Sequence, residues 1–103
     1  MYKLGCYKDF AIEACSSEVG SNADIRARPL PGQGVPTWMR VECSRKMRRQ
    51  LTDSTVAILS CLITNREGGT HFMYAHFSTP YKLVSRREAL TMIKRGELGF
   101  PEK

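Results

Sequence analysis

Hydrophobic and polar positions alternate most cleanly over residues 37–44. Met39, Val41 and Cys43 share one phase there, and Trp38, Arg40 and Glu42 the other, the period-two signature of a half-buried strand. Residues 55–64 are apolar on both phases, with Val56, Ile58 and Leu62 on one and Ala57, Leu59, Cys61 and Ile63 on the other. This predicts a strand covered on both faces, central in a sheet or lining a closed barrel. Asn65, Arg66, Glu67, Gly68 and Gly69 make a glycine-closed turn, the mark of a hairpin with a five-residue loop. Residues 70–78 return as the partner strand. Phe72, Tyr74 and His76 fall on one of its faces, and His71, Met73, Ala75 and Phe77 on the other.

The strongest helix signal lies near the end of the chain. Ser85 is placed to cap a helix and Glu88, three residues on, to complete a capping box. Val84 and Ala89 stand at the positions of a hydrophobic staple. Ala89, Leu90, Met92 and Ile93 form the expected buried stripe, and Gly96 marks the stop. Lys94 and Arg95 suit the negative end of this helix, whereas Arg86 and Arg87 sit in a first turn where the dipole mildly disfavours cations. At the other end of the chain, Tyr2, Leu4 and Cys6 line one face of a short first strand over residues 1–7. Asp9 then reads as the cap of a short helix carrying Phe10, Ala11, Ile12, Ala14 and Cys15, stopped by Gly20, with residues 16–22 as a loop.

Residues 23–30 predict a strand with Ile25 and Ala27 inward and Arg26 and Arg28 outward. The segment 29–36 holds three prolines and two glycines, so it reads as an irregular connection that does not prolong that strand. The order strand, helix, strands, helix argues for one α+β domain over residues 1–103. Its expected architecture is an antiparallel sheet of four to five strands, with a short N-terminal helix and a C-terminal capping helix. The alternative is the same sheet curled into a small barrel.

Composition is ordinary for a domain with its own core: 103 residues, 42% hydrophobic and 25% charged. The charge is not evenly spread. Net charge is +6, and residues 26–50 hold seven cations against Glu42 alone. At the end of that stretch run Arg45, Lys46, Met47, Arg48, Arg49, Gln50 and Leu51. A folded domain cannot bury four unpaired cations, so they must face water or a polyanion. Such a balance favours nucleic acid or an acidic protein surface as partner.

Cys6, Cys15, Cys43 and Cys61 show no C-x-x-C or other ligand spacing and read as reduced packing residues. The N-terminus lacks the apolar region of a secretory signal, and no apolar run approaches the roughly 20 residues of a membrane span. The expectation is a cytoplasmic protein with no membrane partner.

Candidate chemistry is sparse. His71 and His76, five apart on a strand, point to opposite faces and cannot share one ion, so neither a metal nor another cofactor is expected. A Cys61–His71 or Cys61–His76 pair across the hairpin would be the basis of a small enzyme. The apolar neighbours of Cys61 argue against it by keeping the thiol protonated. Pro31, Gly32, Gln33 and Gly34 lack the lysine and helix of a phosphate loop.

The expected function is therefore binding without catalysis. The first reading is a protein-interaction or self-associating module, a homodimer drawing on the aromatic strand 70–78 with Tyr81 and Phe100 as added apolar bulk. The alternative is nucleic-acid binding through a basic loop at 45–49. The expected contact surface comprises Trp38, Arg40, Arg45, Lys46, Arg48 and Arg49, extended by Tyr74 and His76.

Overall fold

The computed structural model describes residues 2–15, 26–65 and 69–101, and strand β4 (Thr55–Thr64) is the spine of what they form. The other elements are β1 (Lys8–Cys15), β2 (Arg26–Pro29), β3 (Val41–Glu42), α1 (Arg45–Arg48), β5 (Phe72–Tyr74), β6 (Tyr81–Ser85) and α2 (Arg86–Lys94). The six-stranded sheet runs β2-β1-β4-β5-β3, and β6 pairs with the first half of β4 on the edge whose second half pairs with β5. It curls into a nearly closed barrel, so the barrel alternative holds.

Residues of β4 alternate between two apolar clusters, as its double-phase pattern predicts. Ala57, Leu59, Cys61 and Ile63 point into the barrel with Phe10, Ile12, Met39, Val41 and Met73. Val56 points out, joining Ala11, Leu30, Val84, Ala89 and Leu98 beneath α2. Each fully buried side chain of this size contributes roughly 1.5–3 kcal/mol.

The N-terminal segment departs from expectation. In place of a short helix capped by Asp9, residues 8–15 form β1, antiparallel to β4 with Phe10 opposite Leu59 and Ala11 opposite Ile58. Phe10, Ala11 and Ile12 are all fully buried because β1 is covered on both faces. A short run of this kind carries no periodicity to tell strand from helix. The expected stop at Gly20 lies outside the described residues, as does Ile25. Residues 2–7 form no strand: Leu4 and Gly5 make a turn, with Gly5 at φ +78° and its N–H on the Ile63 carbonyl at 2.9 Å.

Three further corrections concern the sheet. It has six strands, not four or five, because residues 81–85 add β6. It is mixed, not antiparallel, because β3 pairs with β5 in parallel, Val41 opposite Met73 and Glu42 opposite Tyr74. The hairpin forms as expected, but its connection runs from 65 to 71 in place of 65–69, with Thr64 opposite Phe72, and β5 has three residues in place of 70–78, His76 to Thr79 closing a turn.

The C-terminal helix follows its punctuation. Glu88 N–H donates to Ser85 Oγ at 3.0 Å, Val84 and Ala89 share one cluster, and Glu97 N–H reaches back to the Met92 carbonyl past Gly96 at φ +78°. Leu90, expected in the buried stripe, is 41% exposed. Arg86, disfavoured by the dipole, pairs with Glu13 of β1 and so ties helix to sheet.

The proline- and glycine-rich connection is not loose. Pro29 closes β2 opposite Ile12, and Gln33 is fully buried. Phe100 N–H donates to the Gln33 carbonyl and Gly99 N–H to the Asp9 carbonyl, both at 2.8 Å. Gly99 has φ +71°, and a side chain there would overlap the Gln33 backbone, so only glycine fits.

Candidate functional site

The barrel is incomplete between β2 and β3, the two ends of the strand order. Among the described residues these strands run alongside each other with no ladder joining them. The seam opens into a cleft of about 620 Å³, lined by Arg26, Ala27 and Arg28 from β2, Arg40 and residues 41–43 beside it, and Arg48 from α1. The alternation of each strand decides who faces where. Ala27 and Val41 turn into the core, while Arg26, Arg28 and Arg40 turn outward. Among the described residues the result is an apolar floor with a rim of four guanidiniums and one carboxylate.

Local interactions hold these arginines in place. Arg28 donates to the Ala27 carbonyl at 3.1 Å. Arg40 pairs with Glu42 at 3.1 Å and lies over the Phe72 ring, 4.8 Å from its centroid. Arg48 is carried by α1, a helix too short to stand alone. Two anchors secure α1. Ser44 Oγ accepts the Met47 N–H at 3.0 Å as its cap, and the fully buried Met47 side chain plugs the barrel.

The expected basic loop is thus a helix with one buried tooth. Arg48 is half-buried against the cleft, whereas Arg45, Lys46 and Arg49 are exposed and do not line it.

Of the expected contact residues, the structure therefore brings together Arg40 and Arg48, and adds Arg26 and Arg28. The outward phase of those two was legible in the sequence; the position of β2 beside β3 was not. Trp38 stands at a turn just before β3 and is 60% exposed. Tyr74 is half-buried opposite Glu42. His76 is exposed, hydrogen-bonded to Ser78 at 2.8 Å, with its ring 4.3 Å from that of Phe77, itself 74% exposed.

The thiols are set apart by burial. Cys6, Cys43 and Cys61 are free. Burial pushes the Cys43 thiol, at the cleft floor, up to about 11 against the smaller opposing effect of Arg48. Burial, reinforced by Cys43 and Asp9, pushes Cys61 up to about 12. Cys61 Sγ contacts the Leu59 carbonyl at 3.8 Å, while His71 bonds Tyr2 Oη at 2.7 Å and His76 bonds Ser78. No group of three or more potential metal ligands occurs among the described residues, and none of their helices is long and apolar enough to cross a membrane.

Arginine stays charged at any working pH and offers a planar fork of donors matched to phosphate or carboxylate oxygens. A rim of four such groups is suited to holding an anion. Comparison with protein-family models, curated proteins and solved structures finds no match to this chain.

Proposed function

We propose that this domain acts by binding, without catalysis, and that the seam between β2 and β3 takes the phosphodiester backbone of a nucleic acid. One observation carries the reading: arginines from β2, α1 and the position just before β3 converge on a single cleft that, among the described residues, Glu42 alone opposes. Phosphate contacts of this kind dominate nucleic-acid affinity and release counterions on binding. The protonated thiol of Cys43 and the ion-paired Glu42 leave the cleft poor in bases and nucleophiles at neutral pH, which supports binding over chemistry.

The test is fluorescence anisotropy with labelled oligonucleotides across a salt series. Affinity should fall steeply with salt. Arg26→Glu with Arg28→Glu should weaken binding at least tenfold and flatten the salt dependence, while Arg45→Glu with Arg49→Glu should do much less. Absence of binding at low salt, or equal effects of the two pairs, would overturn the assignment to the cleft.

A second reading, self-association, is favoured by β6. Among the described residues it pairs with β4 alone, and Leu83 on it is partly exposed. A strand paired on one side is a ready seat for a second copy.

A further inference from the structure

The geometry points to single-stranded nucleic acid, with its backbone in the seam and its bases on exposed rings at the two ends of β3. This inference rests on the phosphate-binding reading of the cleft and names which form of nucleic acid enters it. At one end, Trp38 precedes the cleft residue Arg40 by two positions and is largely exposed. At the other, the Ala75 N–H bonds the carbonyl of the cleft residue Glu42 at 2.9 Å, so the exposed His76 and Phe77 follow directly. The cleft residues Arg40 and Glu42 thus lie between two aromatic stations. Residues 38 to 43 span at most about 17 Å of chain, a reach suited to a few nucleotides.

Large rings left in water on a small domain need a reason when they flank a cationic cleft. Phe77 is held against the His76 ring, with centroids 4.3 Å apart and planes tilted by 33°, so each ring limits the other's rotation. Tyr74, opposite Glu42, lies between this pair and Trp38 in the register. Stacking on aromatic rings requires bases with open faces, which a duplex does not present. The arginines also stand on both sides of a slot: Arg26 and Arg28 on β2, Arg40 and Arg48 across it. A slot clamps one backbone from two sides, whereas the surface of a duplex meets one side only.

The experiment compares labelled single-stranded DNA, single-stranded RNA and duplex DNA of equal length at one salt concentration, with inorganic polyphosphate as a base-free polyanion. Wild-type protein should bind at least one of the single strands ten or more times more tightly than the duplex. Trp38→Ala with Phe77→Ala should lose most of that preference while leaving polyphosphate binding and the salt slope unchanged. Both side chains are exposed, so the thermal midpoint should hardly move. Equal or tighter binding of duplex would overturn the single-strand inference and leave the cleft assignment standing. So would a double variant that keeps the preference. Failure of every probe, polyphosphate included, would overturn both.

Discussion

The side chain of Gln33 closes around the backbone of Ala11 as a neighbouring strand would: its Oε1 accepts the Ala11 N–H at 2.8 Å, and its Nε2 donates to the Ala11 carbonyl at 3.0 Å. The same Nε2 donates to the Leu30 carbonyl at 3.0 Å. One fully buried amide therefore satisfies three backbone groups where the connection after β2 leaves the sheet. Gln33→Leu keeps the approximate volume and strands the Ala11 N–H and the Leu30 carbonyl, while the Ala11 carbonyl keeps the Leu30 N–H. A buried polar group left unmade costs about 1–3 kcal/mol, so with two such groups the variant should lose about 2 kcal/mol or more. Urea unfolding should show a lower midpoint at unchanged slope. A loss below about 0.5 kcal/mol would mean that the segment can find other partners.

The buried Cys61 thiol and the half-buried Cys43 thiol make stability decline at alkaline pH. Their folded values lie above the ordinary 9.0, at about 11 for Cys43 and about 12 for Cys61. The unfolded chain therefore releases these protons first as pH rises. Stability from this source is intact below pH 9 and falls between 9 and about 12, by an amount on the order of a few kcal/mol. Cys43→Ala with Cys61→Ala should be less stable at neutral pH because of lost packing, yet should show a shallower decline above pH 9. A denaturation series from pH 7 to 11 reads the slope. Parallel slopes for the two proteins would refute the assignment.

If β6 is the seat of self-association, Leu83→Lys should shift the protein toward monomer. Analytical ultracentrifugation over a hundredfold concentration range should then show a concentration-dependent mass for the wild type and a fixed monomer mass for the variant. A wild-type monomer throughout would remove this second reading and leave the cleft reading untouched.

What could be read in advance follows the range of the interactions. Strand β4 was legible to its terminal residues because ten positions of two-sided apolar character admit few alternatives. The α2 cap was legible because Ser85 and Glu88 interact over three residues. Strand β1 was not, since Phe10, Ala11 and Ile12 are buried by partners more than forty residues away in sequence, and a helix would bury the same residues. Nothing local signals the parallel pairing of β3 with β5. The candidate site divides in the same way. That Arg40 and Arg48 are presented can be read from phase and charge, but the meeting of β2 with β3 is tertiary, so phase alone turns Arg26 and Arg28 outward without giving them a destination. The seven-residue basic run concealed two core members, Met47 and Leu51, and it is Met47, within α1, that sits between the outward cations and Arg48 at the cleft.

Pro29 gives the open side of β2 a consequence of its own. Leu30 directs its N–H to the Ala11 carbonyl at 3.1 Å, and alternation along a strand then turns the nitrogen of Pro29 toward the seam. That nitrogen carries no hydrogen, so β2 cannot offer a full set of donors to an incoming strand. Arg26 and Arg28 add charge along the same edge. A barrel that stops short of closure would ordinarily risk zipping onto the unclosed barrel of another molecule. Here the gap stays open while the edge of β2 resists polymerisation of the protein through its own exposed backbone.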